Sequence, residues 1–137
     1  MATITQVKQG LADRLETITT LSQVHVQVPT SINPPAAVVM LAPGQFLTYD
    51  SSSDSDDLDF VVRLLVSRAD EPSGQDTLDA YLARTGTSSI RAAVAADPTL
   101  GGIVADTEVP GATDYGNVTV GDLAYFGCDF PVRVLMS

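Results

Sequence analysis

The chain has 137 residues, of which 45% are hydrophobic and 18% charged, and a formal net charge of −10. That length suits one domain with a sizeable core, and the composition excludes a disordered chain. The seven basic residues, Lys8, Arg14, Arg63, Arg68, Arg84, Arg91 and Arg133, are scattered among 17 acidic ones. Phosphate binding needs clustered cations, so recognition of nucleic acid is excluded and anionic membrane surfaces are disfavoured.

The single cysteine, Cys128, permits no intrachain disulfide. The longest apolar run, AAVVMLA at 36–42, is far too short to cross a bilayer. MATITQVKQG has no apolar signal region, which sets the expectation of cytoplasmic synthesis.

Thr3 to Thr20 is expected to be helical. Ile4, Val7, Leu11, Leu15 and Ile18 recur at steps of three and four, and Thr3 with Gln6 forms a capping-box pattern. Gly10 weakens that helix by up to about 1 kcal/mol, so packing of the stripe must hold it. SQVHVQVP at 22–29 alternates as a half-buried strand, with His25 on its outer face. Asn33-Pro34-Pro35 is extended, and Ala36 to Leu41 is a strand covered on both faces. Pro43-Gly44 breaks it, and Phe46 to Tyr49 continues it after a kink.

LDFVVRLLVSRA at 58–69 is the strongest strand pattern, with Arg63 outward. A helix opens at the Ser73–Asp76 capping box, carries Leu78, Tyr81 and Leu82, and ends at Gly86. Ser88 to Ala96 forms a second short helix, stopped by Asp97-Pro98. Gly102 to Val109 is a strand. Asn117 to Val120 and Leu123 to Met136 form a hairpin across Gly121-Asp122, with Pro131 marking an edge or a bulge. The order is α-β-β-β-α-α-β-β, an α+β domain over 1–137 with a mainly antiparallel sheet and helices on one face.

Between the strands lies YDSSSDSDDLDF, with aspartates at 50, 54, 56, 57 and 59. An EF-hand loop opened at Asp54 needs an oxygen ligand at its fifth position, glycine at the sixth and glutamate at the twelfth; those positions hold Leu58, Asp59 and Leu65. Glycoside chemistry needs aromatic sugar platforms, and the chain has no tryptophan. The stretch reads as a solvated, flexible acidic hairpin loop at about 50–59, of the kind that orders only against a neighbour, its base anchored by Leu47, Tyr49, Leu58 and Phe60. Asp50, Asp54, Asp56, Asp57 and Asp59 complete this candidate assembly surface. One histidine and one cysteine exclude the usual Cys/His zinc sites, and no GxSxG, GxxxxGK[ST] or GxGxxG occurs. Cys128 in AYFGCDF reads as a buried, inert thiol. No catalytic residue, cofactor or metal site is assigned. A divalent-ion module built on Asp54, Asp56, Asp57 and Asp59 is the reading from another class.

The N-terminal helix, SINPPAAVVML, the stretch FVVRLLVSRADEPSGQDTLDAYLARTGTSSIRAAVAADPTLGGIVADTEV and the terminal hairpin together resemble the tail-terminator (tail-completion) proteins of phages with long, noncontractile tails, especially actinobacteriophages. The resemblance spans nearly the whole chain and rests on element order with phrases such as GQDTLDAYL and DPTLGGIVADTEV. It implies a non-enzymatic virion protein, assembled in the host cytoplasm as a hexameric ring. Such a ring caps the head-proximal end of the tail tube, stops its polymerisation and meets the head-neck connector, while DNA passes through unread. Related neck proteins share similar size and order, and another neck protein or a tail tube subunit of the same particle is the alternative.

Overall fold

The computed structural model describes residues 3–27, 31–50, 55–68 and 74–136. α1 (Ile4–Leu15) opens at the expected cap. Thr3 Oγ1 accepts from the Gln6 amide at 3.1 Å, and Gln6 Oε1 accepts from the Thr3 amide at 2.8 Å. Val7, Leu11 and Leu15 are fully buried, and burial of such side chains is worth about 1.5–3 kcal/mol each, which outweighs the cost of Gly10. Gly10 also has a packing reason: a Cβ there would stand 3.1 Å from Leu100 Cβ. The helix stops at Leu15, short of the expected Thr20. Thr17 to Thr20 is a β-branched run of poor helix propensity, and Thr17 Oγ1 donates to the Arg14 carbonyl at 2.6 Å. Ile18 still reaches the core.

β1 is only Gln23–His25, and it pairs in parallel with β2 (Ala36–Leu41), the one parallel pair in the described sheet. Val28 and Pro29, where that strand was expected to end, lie outside the described residues. β3 (Leu47–Asp50) runs along the same edge of β4 (Ser55–Arg68) as β2 does. Leu41 opposes Phe60 and Leu47 opposes Leu58, so residues 42–46 form the expected kink in an interrupted strand.

α2 (Gly74–Leu82) follows; Ser73 lies outside the described residues. α3 (Ile90–Ala95) is capped by Ser89, whose Oγ accepts from the Ala92 amide at 3.1 Å and donates to the Ala83 carbonyl at 2.5 Å. β5 is Asp106–Glu108, shorter than the expected strand from Gly102. Leu100, Gly101 and Gly102 all have positive φ, which builds a turn and delays extended backbone. β6 (Thr113–Val120) and β7 (Leu123–Leu135) form the hairpin across Gly121-Asp122.

The seven strands make one mixed, mostly antiparallel sheet in the order β1-β2-β4-β7-β5, with β3 on β4 and β6 on β7. The helices share one core with a single sheet face: Val7, Leu11, Leu15, Leu78, Tyr81, Ile90 and Val94 pack with Phe60, Val62, Leu64, Phe130, Val132 and Val134. The protein is therefore α+β, in the expected order of helices and strands. Pro131, expected at an edge or a bulge, lies in a strand that is central in the sheet order. Its place is the gap between the β5 pairing at Arg133 and the β6 pairing at Asp129, where β7 is locally an edge. No helix among the described residues is long and apolar enough to cross a membrane.

Gly127 sits opposite Leu65, where β4 bulges at Val66. A Cβ on Gly127 would collide with the Leu64 carbonyl oxygen. Gly127→Ala is expected to destabilise the domain by about 2–4 kcal/mol through forced separation of β4 and β7. A drop in the urea midpoint at unchanged slope measures this; an unchanged midpoint would show that the ladder yields freely.

Candidate assembly surfaces

The acidic stretch is mostly strand. β3 and β4 pair Leu47 with Leu58, Thr48 with Asp57, Tyr49 with Asp56 and Asp50 with Ser55. Of the hairpin loop expected at about 50–59, Asp50 and residues 55–59 are instead paired strand, and residues 51–54 lie outside the described residues. Aspartate is a poor strand former, but here the ladder to β7 extends to Asp57 and the Met136 amide donates to the Asp56 carbonyl at 2.8 Å. Asp54 and the side chain of Asp50 lie outside the described residues.

Strand alternation then separates the carboxylates. Leu58 and Phe60 point into the core and are buried, which makes them the hairpin's anchors. Leu47 is half-buried against that core. Asp56 lies on the same side as Leu58, whereas Asp57 and Asp59 lie on the opposite face. Tyr49, expected as a further anchor, is 74% exposed and contributes nothing to the core. Among the described residues, no group of three or more His, Cys, Asp or Glu is placed to hold a metal ion.

The sheet gathers other charges beside Asp57 and Asp59. Arg133 of β7 stands between Asp59 of β4 and Glu108 of β5, and Leu135 stands between Asp57 and Asp106. Asp57, Asp106, Glu108, Arg133, Val134 and Leu135 line an open concavity of about 200 Å³. Leu135 is 44% exposed there. Sequence reading missed Asp106, Glu108, Arg133 and Leu135. The alternation in ADTEV shows that Asp106 and Glu108 share a face, but only the β4-β7-β5 register brings that face to Asp57.

Farther along the same face, Arg63 Nε and Nη2 donate to the two Asp129 carboxylate oxygens at 2.9 and 3.2 Å. The bond to Asp129 and its charge raise the Arg63 pKa against the opposing effect of burial. This is the ion pair within 4 Å among the described residues.

A second surface lies on the opposite edge of the sheet. Tyr81, Leu82, Arg84, Arg91, Val109, Pro110 and Phe130 help to line a groove of about 140 Å³ whose lining contains no carboxylate. It adjoins a larger depression of about 360 Å³ through Arg91, Val109 and Pro110, where Asp106 and Glu108 enter the lining. The lining of that depression includes Thr107, which is buried and whose hydroxyl has no hydrogen-bond partner among the described residues. Arg91 Nη1 reaches the Arg84 carbonyl at 3.4 Å, and neither arginine has a carboxylate within 4 Å among the described residues.

His25 Nε2 lies 3.0 Å from Gln23 Oε1 in β1, with no nucleophile among its hydrogen-bond partners in the described residues. Cys128 is buried in the core, and burial, followed by the Asp129 charge, pushes its thiol from 9.0 up to about 12. No protein-family model and no curated protein matches the chain.

Three predictions follow from these placements. Asp129→Ala leaves the Arg63 guanidinium without its charged partner and is expected to cost about 1.5–3 kcal/mol in urea unfolding; a change below about 0.5 kcal/mol would reduce the pair to a surface contact. Thr107→Val replaces a partnerless buried hydroxyl with a methyl and is expected to raise the melting temperature. For Cys128, the raised folded-state pKa means that its contribution is intact below the unfolded pKa and falls as pH rises toward 12. The wild type is therefore expected to lose urea stability more steeply between pH 8 and 10, on the order of the thiol's ordinary titration range, than Cys128→Ala does; parallel slopes would place the thiol in contact with water.

Proposed function

We propose that this chain is a structural subunit of a long-tailed phage particle, a tail terminator that closes the head-proximal end of the tail tube as a ring. The resemblance of GQDTLDAYL, DPTLGGIVADTEV and the flanking elements is the basis of the reading. The observation in the fold that supports it is a sheet open along both edges. β3 and β1 border one edge, and β5 and β6 border the other. Unpaired edges invite further strands or docking segments, and a subunit with different surfaces on opposite edges suits a head-to-tail ring. Exposed apolar side chains stand on the border strands β3 and β6, at Tyr49 and Tyr115.

The role is mechanical, with no catalytic residue and no cofactor. The ring is hexameric, as the resemblance implies. It meets the tail tube protein on one side and the head-neck connector on the other. DNA passes the lumen, and a chain of net charge −10 repels phosphate and resists sticking to it. The protein resides in the virion after assembly in the host cytoplasm.

Native mass spectrometry over a concentration series, followed by electron microscopy with purified tail tubes, tests this. The expected result is a discrete species of six subunits that caps one end of each tube. Long stacked rings would identify a tube subunit instead. Monomer at every concentration, with bare tube ends, would overturn the proposal.

A further inference from the structure

We infer that the β3–β4 hairpin of one copy seats in the Arg84–Arg91 groove of the next copy, and that this contact joins neighbouring subunits; the inference rests on the ring assembly proposed above. The two surfaces have the positions that a closed ring requires. β7 pairs with β4 from Asp57 to Arg68, so β3 must lie on β4's other side. β5 and the 109–112 connection lie beyond β7, on the opposite edge of the sheet. A contact between opposite edges repeats from copy to copy and closes when the rotation permits.

The chemistry of the two surfaces is complementary. The hairpin presents Tyr49, the most exposed of the large hydrophobic side chains, directly opposite Asp56. The groove presents two arginines beside Leu82, Val109, Pro110 and Phe130, with no carboxylate in its lining. In a chain with 17 acidic and seven basic residues, Arg84 and Arg91 have no carboxylate within 4 Å among the described residues, and Asp106 and Glu108 enter only the adjoining depression. An aromatic ring can stack on a guanidinium while a neighbouring carboxylate takes a charge-assisted hydrogen bond from it. Tyr49 and Asp56 supply that pair of groups, directly opposite each other across the ladder. Desolvated in a contact of this kind, the charges favour the correct neighbour and oppose a hairpin-to-hairpin or groove-to-groove approach.

Two variants test the contact. Tyr49→Ala with Asp56→Lys alters the hairpin, and Arg84→Glu with Arg91→Glu alters the groove. Circular dichroism and thermal melting establish that each remains folded. Sedimentation velocity is expected to show that each variant alone loses the ring, with self-association weakened at least about 30-fold. An equimolar mixture is expected to give a 1:1 heterodimer and nothing larger, since it unites the intact groove of the first variant with the intact hairpin of the second. Rings from either variant at wild-type concentrations, or a mixture that stays monomeric, would overturn this inference and leave the ring assembly standing. A wild type that remains monomeric both alone and with tail tubes would overturn both.

Discussion

The antiparallel ladder between β4 and β7 is the constraint on which the other elements depend. It runs from Asp57 opposite Leu135 to Arg68 opposite Tyr125. Every other strand except β1 attaches directly to one of these two, and β1 attaches through β2. One face of the ladder, Phe60, Val62, Leu64, Phe130, Val132 and Val134, is the floor on which the helices pack. The close approach at Gly127 and the bulge at Val66 shift the register between β4 and β7 by one residue. Loss of this ladder would remove both the core and the placement of every charged surface group.

The other face of the ladder carries the polar consequences. Arg63 with Asp129 is a two-point pair on this otherwise partly apolar face, beside buried Val38 and Leu65. Toward the β3 and β5 end, Asp57, Asp59, Asp106 and Glu108 gather around Arg133 and Leu135. Like charges at this spacing repel modestly in water and are screened by salt, so such a face is tolerable when solvated or set against cations. The helix-side groove with Arg84 and Arg91 is the opposite case, positive within an acidic molecule.

Local elements were legible in the residues because their signals are local. The stripe through Val7, Leu11 and Leu15, the cap at Thr3, the β4 pattern and the turn at Gly121-Asp122 depend on neighbours within a few positions. The N-terminal helix was read too long because Ile18 keeps the apolar spacing while the β-branched run around it ends the helix. The acidic stretch was read as loop because its composition disfavours strand; cross-strand bonding to β7 and Met136 overrides that preference. Tyr49 was read as an anchor because aromatic residues usually bury, yet its position past the last core row leaves it in solvent.

The sequence alone determined the class of fold, the order of helices and strands, the core stripe of the helices and the lack of the usual motifs for Cys/His zinc or phosphate chemistry. Those properties follow from periodicity, capping and residue type, which are fixed by near neighbours along the chain. Tertiary structure alone decided which charges share a surface. Asp57 and Glu108 are brought to one concavity by the register of β4 and β5 on β7. Arg84 and Arg91 are brought to Val109 and Phe130 by the packing of the helices on that sheet. Register and packing are set by the whole core at once, and no short window of sequence contains them.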